Sequence, residues 1–296
     1  MAMDHAMMSD VDTVMGGMAV FRKYHGWPEL KEAFMGGSVR AVYILAPMLM
    51  DIVDQGIPAK VVALGHRSGA VIMVGKDSPA RNFGDLKGKR VAIPSRFAVD
   101  HLYVRRLMAK YGLRDGDVSL IEMPPPDMPA ALYAKAVEAI SSGEPFMAQT
   151  ELDGYGRVLW LTKDVWPNFI SCVLAVHEDL IKNDRASVQQ LVDGIAKSGK
   201  WIDQGMAHRM DAAQFVSKNY YNQDPRLLTF VLSKPPDRVK YTNLALRRKD
   251  FEEIEQLGKE SGILQGTARF EEYTDASFVP DDSVIEPYPW AGLKEP

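Results

Sequence analysis

The side chains best suited to bind a small molecule lie in short polar segments that follow predicted strands. Ser95, Arg96 and Phe97 come after the apolar run Arg90–Ile93 and before a predicted helix that begins near Asp100. The start of a helix offers backbone N–H groups without partners, and this segment adds a hydroxyl and a guanidinium. It therefore predicts a site for a small anion or polar ligand, with a serine that merely caps the helix as the alternative.

Two further segments have a similar placement. His66-Arg67-Ser68 follows a predicted strand at residues 59–64 and is interpreted either as a set of ligand donors or as a solvated turn. Glu144-Pro145-Phe146 follows a later predicted strand. Its carboxylate is expected either to accept hydrogen bonds from a ligand or to form a structural ion pair with Arg67 or Arg96.

The sequence lacks the motifs that mark common catalytic and metal sites. It contains no GxGxxG, Walker, HExxH or GxSxG motif, and its six histidines do not have the spacing of metal ligands. The single cysteine, Cys172, excludes an internal disulfide and a CxxC site, and its apolar neighbours predict a buried thiol. We therefore expect no catalytic residue, no metal site and no cofactor.

The composition is that of an ordinary globular protein. The 296 residues are 46% hydrophobic and 25% charged, with a net charge of −4, and this length suffices for two lobes. The mild acidity argues against a nucleic-acid partner. No apolar run approaches the ~18–20 residues of a membrane span.

The first ten residues are rich in methionine but show no basic n-region, apolar h-region or cleavage site. No secretory signal is therefore visible. We expect either a cytoplasmic chain or a form of an exported protein whose start is shortened.

The order of predicted elements indicates an α/β fold with mixed, mainly parallel sheets, because strands alternate with helices of about ten residues. Helical periodicity replaces this alternation after residues 169–176, which predicts extra C-terminal helices. Two α/β units joined by two crossings predict two lobes that face a central cleft. We expect lobe 1 to comprise residues 1–77 and 172–296, and lobe 2 residues 78–171.

Several segments resemble, in the same order, the nitrate/sulfonate/taurine class of ABC-transporter substrate-binding proteins, which also includes binders of thiamine-pyrimidine precursors. The resemblance covers roughly residues 27–278. The segments that carry it are Trp27-Pro28-Glu29-Leu30, Tyr43-Ile44-Leu45-Ala46-Pro47-Met48, Gly56-Ile57-Pro58-Ala59-Lys60-Val61-Val62, His66-Arg67-Ser68-Gly69, Asp85-Leu86-Lys87-Gly88-Lys89-Arg90-Val91-Ala92, Gly143-Glu144-Pro145-Phe146, Asp250-Phe251 with Gly262-Ile263-Leu264, and Asp275-Ala276-Ser277-Phe278.

The resemblance implies a type II periplasmic-binding-protein fold, in which two hinged lobes hold a solute and deliver it to an ABC permease and its ATPase subunit. It implies an extracytoplasmic, periplasmic location and a small anionic or polar organic solute; we expect a monomer. It also implies a strand and helix before Trp27 that have no visible pattern here, so we expect that strand of lobe 1 to be missing. By position it implies ligand contacts at Leu45, Ala46, Pro47, His66, Arg67, Ser68, Gly69, Ser95, Arg96, Phe97, Ala98, Glu144, Pro145 and Phe146.

Two alternatives remain open. One is a cytoplasmic enzyme on the same scaffold, as among menaquinone-pathway proteins and the pyrimidine synthases of thiamine biosynthesis; those synthases carry a cysteine-rich motif that this chain lacks. The other is a ligand-sensing module, although no DNA-binding helix pair is recognisable in the sequence.

Overall fold

The computed structural model of the chain describes residues 22–219 and 223–279. The predictions made for the N-terminal residues, including the missing first strand, fall largely outside these ranges, as does most of the Pro- and Asp-rich C-terminal tail. Among the described helices, none combines the length and the apolar character that a membrane crossing requires.

The described residues form ten strands and twelve α-helices. The strands are β1 (Ala41–Leu45), β2 (Ala59–Leu64), β3 (Arg67–Ser68), β4 (Ala70–Gly75), β5 (Arg90–Ile93), β6 (Ser119–Glu122), β7 (Ala139–Gly143), β8 (Gly156–Leu161), β9 (Cys172–His177) and β10 (Val239–Lys240). The helices are α1 (Trp27–Met35), α2 (Ala46–Asp54), α3 (Val99–Lys110), α4 (Met128–Tyr133), α5 (Phe146–Leu152), α6 (Thr162–Val165), α7 (Glu178–Asn183), α8 (Arg185–Ile202), α9 (Met206–Asn219), α10 (Pro225–Ser233), α11 (Arg248–Glu260) and α12 (Phe270–Tyr273).

The strands form three sheets, with the orders β1-β9-β2, β10-β3 and β6-β5-β7-β4-β8. The mixed α/β fold is confirmed, and the C-terminal helices are present. The expectation of mainly parallel pairing is wrong, because only β5 with β6 and β5 with β7 are parallel among the described strand pairs. Apolar runs such as β4 are buried on both faces, which is typical of parallel strands, but burial does not determine strand direction.

The five-stranded sheet includes β4, so the chain enters it before residue 78. Two segments connect this sheet with the three-stranded sheet, one between β2 and β4 and the other between β8 and β9. The two crossings that the sequence predicted are therefore present. The division into lobes at residues 77/78 and 171/172 stays a prediction.

Prolines near the starts of α1 and α2 fix how these helices join the chain. Pro28 and Pro47 each occupy the first turn, where a missing N–H costs no intrahelical hydrogen bond. Because Ala46 and Pro47 already belong to α2, β1 passes into the helix without a loop. Gly37 follows α1 with a φ of 71°, the left-handed conformation that suits glycine after a helix.

A buried ion pair anchors β10. Arg209 of α9 is completely buried and pairs with Asp203, while its guanidinium also donates to the carbonyl oxygens of Leu232 (3.3 Å) and Val239 (3.1 Å). The other carboxylate oxygen of Asp203 accepts from the Tyr241 N–H at 2.8 Å. Asp203 and Arg209 thus join the turn between α8 and α9 to both ends of β10.

Asp203→Ala should lower the free energy of unfolding by about 3–5 kcal/mol, because it leaves the Arg209 charge buried without a carboxylate. Asp115→Ala is the matched control, since Asp115 forms an exposed pair with Arg105 and such pairs contribute little. Urea unfolding of both variants measures the difference. Equal effects of the two substitutions would contradict the anchoring role of Asp203.

Candidate functional site

The four loop segments predicted to contact ligand (residues 45–47, 66–69, 95–98 and 144–146) are neighbours in the structure. The first two meet through β9. Leu45 pairs with Cys172, whose carbonyl oxygen accepts from the Gly65 N–H at 2.8 Å. Gly65 immediately precedes His66, so residues 45–47 and 66–69 lie at the same edge of the three-stranded sheet.

Residues 66–69 in turn contact residues 144–146. The Glu144 N–H donates to the Gly69 carbonyl oxygen at 2.9 Å, and Ala70 pairs with Gly143 between β4 and β7. Since β4 and β7 are antiparallel, the start of one strand and the end of the other share one edge of the sheet. This is also the edge at which β5 ends and residues 95–98 begin.

Lys31 of α1 joins the last of these segments back to the first. Its Nζ donates to Asp51 Oδ2 of α2 at 2.7 Å and lies 5.1 Å from the centroid of the Phe97 ring. Because α2 directly continues β1, these contacts and the shared sheet edge bring all four loop segments to one region of the fold. Segments that contact one ligand must lie close together, and these four segments meet that requirement.

Most of the fourteen predicted residues are inaccessible to solvent. Arg96 is exposed and Phe97 and Phe146 are partly buried, whereas the remaining residues are buried. The buried residues are Leu45, Ala46, Pro47, His66, Arg67, Ser68, Gly69, Ser95, Ala98, Glu144 and Pro145.

Arg67 uses its donors within the protein. Its guanidinium donates to the carbonyl oxygens of Asn243 (2.6 Å) and Asn168 (2.7 Å) and to Asp250 Oδ2 (2.8 Å). Burial lowers the pKa of Arg67, and the Asp250 carboxylate opposes that shift. Asn168 lies between β8 and β9, so this side chain bridges the two crossings, and a ligand would have to displace one of these partners to be bound by it.

Arg96 also has a protein partner. Its Nε lies 3.1 Å from Glu122 Oε1, and its backbone N–H donates to Glu122 Oε2 at 3.0 Å. The Arg96 side chain is 68% exposed, so this pair lies in solvent. Direct binding of an anion by Arg96 stays a prediction, and it requires the guanidinium to share or leave Glu122.

Glu144 forms a structural ion pair, but with neither arginine named from the sequence. Its Oε2 accepts from the Ala148 N–H at 2.8 Å, and its Oε1 lies 3.3 Å from Nε of Arg238, which is 2% exposed. Arg238 also donates to Glu151 Oε2 at 3.0 Å. Burial raises the pKa of Glu144 to about 7, against the attraction of Arg238. The pairing with Arg67 or Arg96 was therefore wrong, and Arg238 lies too far along the chain for any local pattern to suggest it.

Sequence reasoning missed a buried polar group beside residues 95–98. Asp100 lies in the first turn of α3, is 4% exposed, and accepts a long hydrogen bond of 3.4 Å from the Ser141 hydroxyl of β7. Burial raises the pKa of Asp100 to about 6. An acidic residue in a first helical turn is common because it complements the helix dipole, so no local pattern singles out Asp100.

Comparison with known proteins assigns the family. The model of the NMT1-like family matches residues 5–217. The chain belongs to the NMT1-like family. The nitrate/nitrite binding protein NrtA of Nostoc sp. (strain PCC 7120) is 25% identical over 237 residues, which are 73% of this chain and 52% of NrtA. This NMT1-like chain thus spans about half the length of the curated relatives it matches.

Two solved structures show the fold. The periplasmic nitrate-binding protein NrtA from Synechocystis PCC 6803 superimposes with a TM-score of 0.82 at 17% identity, covering 93% of this chain and 84% of that one. The ligand-binding component of an ABC-type import system from Staphylococcus aureus gives 0.81 at 23% identity, covering 95% and 96%. The periplasmic-binding-protein fold and the resemblance inferred from the sequence are confirmed for this NMT1-like protein.

A double-mutant cycle tests the Glu144–Arg238 pair. Arg238→Met should lower the free energy of unfolding by about 3–5 kcal/mol at pH 8, because Glu144 then remains buried without a cation. The double variant Arg238→Met/Glu144→Gln should recover part of this loss, since a neutral amide needs no counter-charge. The single variant Glu144→Gln completes the cycle. If the losses of the two single variants simply add up to the loss of the double variant, measured by urea unfolding, the two side chains do not interact.

Asp100→Asn tests the charge state of the missed carboxylate. Its pKa is raised only in the folded chain, so wild type should lose stability relative to the variant as the pH rises from about 4 to about 6. Below pH ~4 both folded and unfolded states hold the proton and the two proteins should be equally stable. Above pH ~6 the variant should be more stable by about 3 kcal/mol. A stability difference that is independent of pH, in urea titrations across this range, would contradict the shift.

Proposed function

We propose that this chain is the solute-binding component of an ABC importer and captures a small anionic or polar organic solute between two lobes by hinge closure. The observation that carries the proposal is that the four loop segments, which come from strand ends of both large sheets, lie in one region of the fold. Open α/β sheets place ligands outside the carboxyl ends of their strands. The family membership supports the same function.

Hinge closure needs two bodies with contacts that can form between them. We keep the predicted bounds, with lobe 1 as residues 1–77 and 172–296 and lobe 2 as residues 78–171, except that β4 is counted with lobe 2 because it belongs to the five-stranded sheet. Trp166 and Arg106 of lobe 2 both contact Glu253 of lobe 1, and the Trp166 Nε1 donates at 2.7 Å. Lys31 and Phe97 face each other across the same boundary. These contacts support a closed arrangement in which a solute would be shielded from water.

The relatives support the proposed solute class and partners. NrtA of Nostoc is a nitrate/nitrite binding protein, and the Staphylococcus aureus protein is a ligand-binding component of an ABC-type import system. Delivery to an ABC permease and its ATPase, at an extracytoplasmic site, is the corresponding proposal here. The relatives described above are named as binding proteins or binding components, which favours binding without turnover over the enzyme alternative.

Thermal-shift titration with nitrate, bicarbonate, short alkanesulfonates, carboxylates and pyrimidines tests the proposal. A true solute binds only the native state and should stabilise it by about 2.7 kcal/mol at one hundred times its Kd, with no product detected by NMR in the same samples.

Phe97→Ala should weaken this stabilisation because it removes an aromatic side chain from the loop segment at residues 95–98.

Tyr133→Ala is the matched control for Phe97→Ala, because Tyr133 is 71% exposed and belongs to none of the four loop segments. It should leave the solute-induced shift unchanged. Product formation would favour the enzyme alternative, and the absence of any stabilising solute would overturn the proposed function.

A further inference from the structure

Asp100 is unusual among the buried charged groups because, in the part of the chain that the structure describes, no cationic side chain pairs with it. Buried Arg67, Arg209 and Arg238 each have a carboxylate partner. No ion pair joins Asp100 to a lysine or arginine within residues 22–219 and 223–279; its one side-chain partner there is the Ser141 hydroxyl at 3.4 Å. A buried charge without a counter-ion is costly, so it requires an explanation.

A second buried polar group lies beside it. Tyr103 is one turn after Asp100 on α3 and is fully buried. Among the residues that the structure describes, its hydroxyl has no hydrogen bond of normal length and angle, although Thr162 is close to it. Burial and the nearby Asp100 carboxylate raise the pKa of Tyr103. The Thr162 hydroxyl itself donates to the Ala70 carbonyl oxygen at 2.6 Å. A carboxylate without a cation and a hydroxyl without a partner therefore lie together.

These groups lie at the edge of the sheet where the four loop segments meet. Asp100 follows Ala98 by two residues, Ser141 lies in β7 three residues before Glu144, and Ala70 follows Gly69. Glu144, the acidic residue that the sequence suggested for recognising ligand donors, is instead occupied by Arg238 and the Ala148 N–H. Asp100 is thus an acceptor at this edge to which a ligand could donate a hydrogen bond.

We propose that Asp100 and Tyr103 bind an ammonium or N–H group of the solute, so that the solute is a small organic anion that also carries such a donor. This inference rests on the proposed function. The ammonium group would donate to the Asp100 carboxylate and to the Tyr103 hydroxyl oxygen, supplying the cation that the protein does not. A simple inorganic anion would leave both groups unsatisfied.

Matched probes that differ only in the donor test this inference on the full chain. 2-Aminoethanesulfonate is compared with propane-1-sulfonate, and 3-aminopropanoate with butanoate; within each pair a methyl group replaces the ammonium. By calorimetry, at least one ammonium probe should bind wild type about tenfold or more tighter than its methyl counterpart, the range of one charge-assisted hydrogen bond. Equal binding within both pairs would overturn the inference.

Two variants assign the preference to these side chains. Asp100→Asn keeps the size of the side chain and should reduce the preference for the ammonium probe to within about threefold, while its melting temperature without solute reports folding. Tyr103→Phe should weaken the ammonium probe and not the methyl probe, and it serves alone if Asp100→Asn fails to fold. Tyr133→Phe, at an exposed tyrosine, should change neither. A preference that survives in the folded variants overturns the inference.

Failure of this inference is distinguishable from failure of the proposed function. If nitrate, bicarbonate or the methyl probes bind and stabilise the protein while neither ammonium probe is preferred, the chain is a solute-binding protein but Asp100 does not read a donor. If no probe or panel solute binds, both proposals fall.

Discussion

The arrangement of the site depends on one buried guanidinium, that of Arg67. It donates to the Asn168 carbonyl oxygen in the second crossing, and to the Asn243 carbonyl oxygen and the Asp250 carboxylate in the C-terminal part of the chain. The N–H of the adjacent Ser68 donates to the Phe169 carbonyl oxygen at 2.9 Å. The two crossings between the sheets are thereby held side by side. Because removing a partner from a buried ion pair costs far more than the pair itself contributes, this constraint fixes where residues 66–69 approach the second sheet.

The same rule explains how the segment around β10 stabilises the site. Arg209 and Asp203 hold it against the C-terminal helices, and Arg238 joins it to Glu144. Since β10 pairs with β3, one short segment of chain contacts two of the four loop segments. The ion pairs among these contacts join buried charges with defined partners, so they position the loops more rigidly than exposed ion pairs such as Arg96–Glu122 would.

The sequence was informative wherever the relevant signal is local. The strand at Arg90–Ile93, the helix after it and the polar residues between them were all placed correctly, because a short apolar run and a helix start are visible within a few residues. Strand direction was not predictable in this way. Neither were the partners of Arg67 and Glu144, because Asp250 and Arg238 meet them only through the fold. An arginine in a polar segment looks the same in the sequence whether it binds a ligand or holds together the two segments that connect the sheets.

Asp100 illustrates why the residues that sequence reasoning overlooks can be the functional ones. Its local position is favourable, since a carboxylate in the first turn of a helix is stabilised by the helix dipole. Its tertiary position is unfavourable, since burial without a cation raises its pKa to about 6 and disfavours the charged form that the helix prefers. Departures of this kind from the rules of stability concentrate at functional sites. In our proposal, the ammonium group of the solute pairs with the Asp100 carboxylate and offsets the cost of burying its charge. The protein therefore binds solutes with such a group more tightly than solutes without one.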